Sequence, residues 1–296
     1  MQHSFLTHVS RQLDRAGLAE GGMLDDKTGM HLLRHSAPTR MDATVYRPLL
    51  CLILQGAKEV GSSRRTLTVN SGQSLIVSHT VPVTSRITQA TPARPYVAVV
   101  FPLDLDLLRA LAPGLPSALN APATDPFSIC LCDTDADLEQ ALLRYAQHCD
   151  RAETRQMLAP ITAREIHARL LLGAHAPVLQ RLLSHDGTAS RIHVATRTIQ
   201  ANLSGPIVVK DLAQHVGMSN SAFFEHFKAV TGTSPIQYQK DLRLIQARED
   251  LRSTSAKVSE IAFAVGYESS AQFSREYARK FGKSPRQDRS QDRSLA

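Results

Sequence analysis

One sequence pattern occurs twice near the C-terminal end of the chain, and this repeat restricts the possible folds more than any other feature. The first copy spans residues 210–235 and the second spans residues 260–285. Equivalent positions are 49 or 50 residues apart: Ala213 and Ala262, Val216 and Val265, Gly217 and Gly266, Phe223 and Phe273, Phe227 and Tyr277, Gly232 and Gly282, Pro235 and Pro285. A fixed spacing of this length indicates one structural unit that has been duplicated.

Each copy predicts two short helices joined by a tight turn. In the first copy, a helix over residues 211–216 precedes Gly217, which permits the turn between two crossed helices. Ser219 is a suitable N-cap for the second helix. The aromatic residues of the second helices are spaced i and i+4, which predicts a buried stripe rather than base-stacking groups: Phe223, Phe227, Phe273 and Tyr277. Such helix pairs are typical of helix-turn-helix units that read DNA.

The segment between the two copies predicts one rigid helix over residues 236–252. Its apolar residues follow helical spacing, with Arg243 and Arg248 between them: Tyr238, Leu242, Ile245 and Leu251. Together, residues 196–289 resemble the DNA-binding domain of the AraC/XylS transcription regulators. That resemblance implies two helix-turn-helix units on one long helix, whose second helices enter successive major-groove segments of bent DNA. Where the family often has an aromatic residue before an arginine, this chain has Asp288 before Arg289, so the final short helix is not predicted by the pattern.

The excess positive charge of the chain lies with the repeat. The formal net charge is +7, and residues 191–296 contain 16 Lys and Arg against 10 Asp and Glu, whereas residues 1–190 contain 18 against 17. A basic module attracts phosphates and releases counterions, which favours nucleic acid as a partner. The alternative is a solvated surface with a chance excess of charge.

The N-terminal part predicts short strands followed by helices. A first helix is predicted over residues 5–16, and strands are predicted over residues 49–54, 66–69, 74–78, 84–88 and 96–101. Further helices are predicted over residues 103–111, 135–149, 160–172 and 178–183. Strands this short and evenly spaced favour a small barrel or sandwich. The polar, glycine-containing residues 185–190 predict a linker.

Three segments resemble the N-terminal domain of one AraC-type subgroup: residues 46–58 (YRPLLCLILQGAK), 74–83 (SLIVSHTVPV) and 164–173 (REIHARLLLG). The resemblance implies a cupin-like barrel that senses an effector, followed by helices that pair two chains. The expected fold class is therefore α+β, with a cupin-like barrel and flanking helices before an all-α domain. The expected domains are residues 1–185 for sensing and dimerisation, a linker over 186–195, and 196–296 for DNA binding.

The resemblance also implies which side chains face DNA. The base-reading positions are Asn220, Ser221 and Glu225 in the first unit, and Ser270, Ala271, Gln272 and Arg275 in the second. Arg275 suits guanine and Gln272 suits adenine, while Glu225 either accepts from cytosine or caps its own surface. The predicted phosphate contacts, whose alternative is a solvated charged face, are Lys210, Ser219, Lys228, Arg279, Lys280 and Lys283.

An apolar barrel with a few polar groups is a natural small-molecule pocket. Cys51, Ile53 and Gln55 alternate along one strand, and Val77, His79 and Tyr96 are expected to share the interior. The alternative for each is packed core. Cys51 is also a candidate sensor of oxidants or electrophiles if a basic neighbour lowers the pKa of its thiol.

The residue types give little support for metal binding or catalysis. The predicted barrel strands contain only His79, and His31 and His35 are spaced to share one helix face. Cys51, Cys130, Cys132 and Cys149 show no zinc-type spacing, so reduced structural thiols are expected. No catalytic triad or paired carboxylates stand out, so neither a metal, a cofactor nor an enzyme is predicted, although a cupin-type metalloenzyme stays a competing hypothesis.

The predicted function is that of a sequence-specific, DNA-binding transcription regulator controlled by a small molecule. The expected partners are promoter DNA, an effector, RNA polymerase and a second copy of the chain. No signal peptide or apolar segment of about 20 residues is present, which predicts a cytoplasmic protein without a membrane partner.

Overall fold

A strand-rich N-terminal part precedes an all-helical C-terminal part in the computed structural model of the protein. The structure describes residues 2–62, 65–115, 125–184 and 187–293. This arrangement confirms the predicted α+β class. Among these residues, no helix combines the length and apolar character that crossing a bilayer requires.

The N-terminal strands form two antiparallel sheets. The strands are β1 (Gly21–Leu24), β2 (His31–His35), β3 (Asp42–Tyr46), β4 (Leu49–Gln55), β5 (Ala57–Gly61), β6 (Thr66–Asn70), β7 (Gln73–Val77), β8 (Val81–Gln89), β9 (Tyr96–Pro102) and β10 (Ile129–Asp133). One sheet has the order β1-β2-β9-β4-β7-β10 and the other has the order β3-β8-β5-β6. All five predicted strands are confirmed within a few residues. The other five were missed because they are short and partly polar, and pairing with the longer strands holds them in the sheets.

Strand β4 separates two apolar cores. Cys51 and Ile53 pack between the two sheets, whereas Leu50, Leu52 and Leu54 pack against helices on the outer side of the larger sheet. This follows from the alternation of side chains along a strand. A run of apolar residues on both faces therefore marks β4 as a strand that is covered on both sides.

Six helices lie on the outer side of the larger sheet: α1 (Gln2–Arg15), α2 (Leu105–Leu111), α3 (Ala136–Cys149), α4 (Ala152–Met157), α5 (Ala159–Leu172) and α6 (Ala176–Leu183). Phe5, Val9 and Leu13 of α1 are completely buried, one helical turn apart, against this sheet. The predicted helices are confirmed, and α4 is an additional one.

The C-terminal part contains seven helices within the described residues: α7 (Thr188–Ala201), α8 (Val209–His215), α9 (Asn220–Thr231), α10 (Pro235–Ser253), α11 (Val258–Ala264), α12 (Ser270–Phe281) and α13 (Pro285–Arg293). Helix α10 contributes to two separate cores, with Tyr238 and Leu242 in the first and Leu244, Ala247 and Leu251 in the second. The predicted rigid connection between the two units is therefore present.

The segment predicted to be a linker is helical from Thr188 onwards, so this prediction was wrong over most of residues 186–195. Ile192, Ala195 and Ile199 lie on one face of α7 and are buried in the first helical core. These three residues are spaced i, i+3 and i+7, so one helical face buries all of them. That burial stabilises the helix although its first residues are polar. His185 and Asp186 lie outside the described residues, and the division into domains stays a prediction.

Candidate nucleic-acid interface

The two helix-turn-helix units have matching capping and packing. The Ser219 hydroxyl accepts a hydrogen bond from the Ala222 amide at 3.3 Å, and the Ser269 hydroxyl accepts one from the Gln272 amide at 3.3 Å. The aromatic stripe is buried as predicted, and adjacent rings in each unit have centroids 5.5 Å apart: Phe223 with Phe227, and Phe273 with Tyr277. Helices α9 and α12 are therefore held by their buried faces, which leaves the opposite faces to solvent.

The predicted base-reading side chains lie on those opposite faces. Ser270 is half-buried, and the other members of the set are exposed: Asn220, Ser221, Glu225, Ala271, Gln272 and Arg275. Gln272 donates from Nε2 to Glu276 at 3.2 Å, one turn along α12. Within the described part of the chain, the guanidinium of Arg275 has no ion-pair or hydrogen-bond partner, so its donors are available to a base edge or a phosphate.

Phe224 is an exposed apolar residue of α9 that the sequence analysis missed, with 46 % of its surface accessible. It lies one helical turn from Ser221 and from Lys228, on the solvent side of the helix. An exposed aromatic side chain here can contact the methyl group of thymine. The sequence alone indicates that Phe224 is exposed, because Phe224 does not fit the i, i+4 stripe that buries Phe223 and Phe227.

The predicted phosphate contacts divide into two groups. Lys210, Ser219, Lys228 and Arg279 are exposed. Lys280 instead pairs with Asp241 at 2.5 Å, and Lys283 pairs with Asp288 at 2.8 Å. The last two lysines would have to share their charge between a carboxylate and a phosphate.

Arg243 joins the segment before the first unit to the turn of the second unit through backbone carbonyls. Its guanidinium donates to Leu203 at 2.8 Å and to Ser204 and Gly205 at 2.9 and 2.7 Å, all before the first unit, and to Gly266 in the second turn at 2.9 Å. Burial lowers the pKa of Arg243. These contacts fix the second turn against the segment before α8, and sequence spacing alone gave Arg243 no such role.

The final helix forms around a buried carboxylate. Asp288 accepts hydrogen bonds from Arg248 Nε at 2.9 Å and from the Tyr277 hydroxyl at 2.6 Å, and it pairs with Lys283. Burial raises the pKa of Asp288, but the Lys283 and Tyr277 hydrogen bonds and the Arg248 charge outweigh it and lower the pKa below its usual value. Asp288 therefore anchors the final helix through ionic and hydrogen-bond contacts.

The two sheets that β1–β10 form enclose one core and are called the barrel. The helical part contacts this barrel through polar groups. The Tyr238 hydroxyl donates to the Thr80 carbonyl at 2.7 Å, and the Ser128 amide donates to the Val230 carbonyl at the end of α9, at 3.1 Å. Arg248 also pairs with Asp42 of β3. The exposed faces of α9 and α12 are not part of this contact.

His79 belongs to this contact between the strand-rich part and the helical part, so the prediction that it shares the barrel interior was wrong. It follows β7 in a loop, where Nδ1 lies 2.8 Å from the Ser78 hydroxyl and Nε2 lies 2.9 Å from the Ala189 carbonyl of α7. The rings of His79 and His193 meet edge to face at 5.6 Å. Burial lowers the pKa of both histidines to about 4.

The other five predicted effector residues do not all line one surface. Cys51, Ile53, Val77 and Tyr96 pack together in the core between the sheets. Gln55 does not continue their face, because a bulge between Ile53 and Gln55 shifts the register, and Gln55 donates to the Pro95 carbonyl at 2.7 Å. That part of the prediction was wrong because a regular alternation was assumed to the end of the strand.

A lysine that the sequence analysis did not single out lies inside the barrel. Lys58 is 5 % exposed, and its Nζ lies 3.1 Å from Cys51 Sγ and 3.3 Å from the Tyr46 hydroxyl. This provides the basic neighbour that a reactive thiol requires. However, Cys51 is only 1 % exposed, whereas reactive thiols are partly accessible to their oxidants.

A cleft of about 620 Å³ lies outside the barrel, between the end of β9 and helices α2, α4 and α5. Phe101, Leu107 and Tyr145 give it apolar walls, and Lys27 and Arg155 give it positive charge. No residue of the predicted effector set lines this cleft. Its size is within the range of small-molecule sites.

The histidine and cysteine positions differ from expectation. His31 and His35 lie on strand β2, not on a helix face, because pairing with β1 and β9 decides the local structure. Cys130 and Cys132 of β10 have their sulfur atoms 3.6 Å apart, and a ring nitrogen of His175 completes a group whose atoms lie within 4.8 Å of one another. The prediction of reduced structural thiols without zinc-type spacing did not include this group, because His175 is distant in sequence.

Comparison with known proteins matches both parts of the chain. The family described as AraC-type transcriptional regulator N-terminus matches residues 27–178, and the family described as helix-turn-helix domain matches residues 212–291. The HTH-type transcriptional regulator ArgR of Pseudomonas aeruginosa is 36 % identical over 99 residues, which are 33 % of this chain and 30 % of that protein. The HTH-type transcriptional activator RhaS of Escherichia coli is 28 % identical over 148 residues, which are 50 % of this chain and 52 % of that protein. The matches thus span only a third to a half of these relatives.

The fold is shared with ToxT of Vibrio cholerae. One crystal structure of ToxT gives a TM-score of 0.61 at 11 % identity, covering 88 % of this chain and 97 % of that one. At this identity the likeness concerns the fold alone. Another ToxT structure contains a bound unsaturated fatty acid.

Proposed function

This chain belongs to the AraC-type transcriptional regulators, and from that premise we propose that it binds specific promoter DNA through α9 and α12. The observation that supports this function best is the free outer face of both helices. Those faces include the guanidinium of Arg275, which has no partner among the described residues, and amide groups that suit base edges. Exposed Lys210, Lys228 and Arg279 provide the positive charge that phosphates require.

Binding of the full-length protein to DNA fragments from its own genome tests this function. We expect salt-dependent, sequence-selective binding. Arg275→Ala should lose roughly 1–3 kcal/mol of discrimination at one base pair. Lys228→Ala should instead weaken binding to all sequences and reduce the salt slope by about one unit. Equal binding to all fragments by the wild-type protein would contradict a sequence-reading function.

An effector site in the N-terminal part is a further element of the proposed function. The cleft beside β9 offers apolar walls and the exposed ammonium of Lys27, which suits a small apolar molecule with an anionic group. That ToxT, which has the same fold, binds an unsaturated fatty acid is consistent with such chemistry. The barrel residues Cys51, Ile53, Val77 and Tyr96 form packed core and fit this role less well.

Pairing of two chains through helices α4 and α5 is also proposed. Met157, Leu158, Ile161 and Leu172 expose 69, 40, 66 and 55 % of their surfaces. Ile161, Ala168 and Leu172 lie along one face of α5, which gives a second copy an apolar surface to cover. We also propose contact with RNA polymerase, which follows from the role of a promoter-bound regulator.

A further inference from the structure

Three potential metal ligands converge where the last strand of the barrel meets the start of α6. Cys130 and Cys132 are two residues apart on β10, so both side chains point to the same face. His175 immediately precedes α6 and is brought beside them by the fold. The two sulfur atoms and one imidazole nitrogen lie within 4.8 Å of one another.

We propose that Cys130, Cys132 and His175 form a binding site for one soft, thiophilic metal ion, either Zn²⁺ or Cu⁺. Two thiolates and one imidazole are ligands that both ions favour. A zinc ion would complete its tetrahedron with water, whereas a cuprous ion is satisfied by three ligands.

The separation of the sulfur atoms suits a shared ion. Two thiolates bound at about 2.3 Å to one tetrahedral ion lie roughly 3.8 Å apart. The observed distance between Cys130 Sγ and Cys132 Sγ is 3.6 Å. A disulfide fits this arrangement less well, because neighbours at i and i+2 on a strand have Cα atoms about 6.6 Å apart, near the upper limit for that bond.

The imidazole of His175 is held in a ligating orientation. His175 is 3 % exposed, and its Nε2 lies 2.8 Å from the hydroxyl of completely buried Ser74 on β7. Its Nδ1 is buried and makes no hydrogen bond to an oxygen or nitrogen atom of the described residues, while the Cys130 side chain interacts with the His175 ring. A metal ion held by Cys130 would satisfy this buried nitrogen more fully than a thiol does. Ser74 would then act as the outer partner that fixes the ring, as is usual for ligating histidines.

An ion can reach this site from solvent. Cys130 and Cys132 are both half-buried rather than enclosed, so exchange requires no unfolding of the barrel. The other two cysteines, Cys51 and Cys149, are buried in different cores.

The site lies beside the contact between the two parts of the chain. Strand β10 follows Ser128, whose amide donates to the carbonyl of Val230 at the end of α9. His175 immediately precedes α6, and α7 of the helical part follows α6 in the chain. A bound ion would join β10 to α6 and so restrain two connections to the DNA-binding helices. This effect on DNA rests on the proposed function, whereas metal binding itself does not.

Metal binding is measured directly on the full-length, reduced protein. Separate samples of the protein are equilibrated with Zn²⁺, with Co²⁺ as a spectroscopic substitute, or with Cu⁺ under reducing conditions, each in the presence of a competing chelator. The metal that each sample retains is measured after desalting. We expect one ion per chain, and thiolate-to-cobalt absorption in the Co²⁺ sample. Titration with chelators of increasing affinity then compares the two ions. The ion that the protein retains against the stronger chelator is the one that the site prefers.

Matched variants separate the site from adventitious binding. Cys132→Ser and His175→Gln should lose the ion, and Ser74→Ala should weaken binding by roughly 10- to 100-fold. Cys149→Ser removes a thiol outside the group and should bind like wild type. Because Cys132 is half-buried, Cys132→Ser should keep the native circular dichroism spectrum even if His175→Gln does not fold. The site does not exist if the wild type retains no ion, if Cys132→Ser and Cys149→Ser bind equally, or if Cys130 and Cys132 are found oxidised to a disulfide in the purified protein.

Discussion

At the scale of single residues, buried charges decide how the C-terminal helices are joined. Asp288 is 1 % exposed and accepts from Arg248 and Tyr277, while Lys283 lies beside it. Arg248 in turn pairs with Asp42 of the barrel. The two parts of the protein and the last helix therefore share one ionic network, which no local sequence pattern indicates.

Removal of the Asp288 carboxylate should leave the Arg248 charge without its buried partner. We expect Asp288→Ala to destabilise the protein by about 1.5–3 kcal/mol, because Arg248 and Tyr277 lose a charged hydrogen-bond partner while Asp42 still offsets part of the Arg248 charge. Urea unfolding followed by circular dichroism measures the change. Glu249→Ala, at an exposed position of α10, is the control and should change stability by less than about 0.5 kcal/mol. Similar effects of the two variants would show that the network contributes little.

At the scale of elements, the two helix-turn-helix units are alike in sequence but not in the packing of their turns. Gly217 and Gly266 both have positive φ, of +66° and +91°. Beside Gly217 the nearest atom to an added Cβ would be Arg191 Nη1 at 3.6 Å, whereas beside Gly266 it would be the Ser204 carbonyl oxygen at 2.2 Å. The second turn is therefore packed against backbone, and the first is open.

This difference predicts unequal effects of one substitution. Gly217→Ala should cost about 1–2 kcal/mol, since only the left-handed backbone is strained. Gly266→Ala should cost clearly more, because the backbone of Ser204 would have to move as well. Thermal unfolding of both variants measures the difference. Equal melting temperatures would contradict the packing of the second turn.

At the scale of the whole molecule, the contact between the barrel and the helices contains two histidines that stay neutral when folded. Burial lowers the pKa of His79 and His193 to about 4, whereas an unfolded histidine titrates near 6.5. As pH falls from about 6.5 towards 4, the unfolded chain binds protons that the folded chain does not. Stability should therefore fall across this window and level off below it, by about 3 kcal/mol for His79.

Melting temperatures between pH 7 and 4 test this dependence. His79→Gln should flatten the decline, because its amide does not titrate. The exposed His215 provides the control, and His215→Gln should leave the slope unchanged. A decline of the same steepness in wild type and His79→Gln would mean that other groups determine the acid sensitivity.

The apolar face of α5 predicts the state of assembly. Ile161→Asp should convert a dimer to a monomer in light scattering of the eluted protein, since a charge would replace a side chain that is 66 % exposed in the single chain. Met41→Asp changes an exposed apolar residue away from these helices and should leave the dimer intact. A wild-type protein that is monomeric at all concentrations would contradict pairing through this face.

Local patterns in the sequence were sufficient to predict the duplicated unit, the connecting helix, the aromatic core positions and most strands and helices. Helical spacing places Phe223 and Phe227 inside wherever the helix packs, because burying the apolar stripe is what stabilises such a helix. The Ser219 cap and the positive φ of Gly217 are equally local properties, so they followed from residue type and position.

Tertiary structure alone decided which distant residues meet. The group formed by Cys130, Cys132 and His175 depends on how α6 folds back onto β10. Three other features have the same origin: the bulge that turns Gln55 away, the position of His79 in the contact with α7, and the burial of Lys58 beside Cys51. Such meetings depend on packing between elements far apart in the chain, and spacing within one segment contains no information about them.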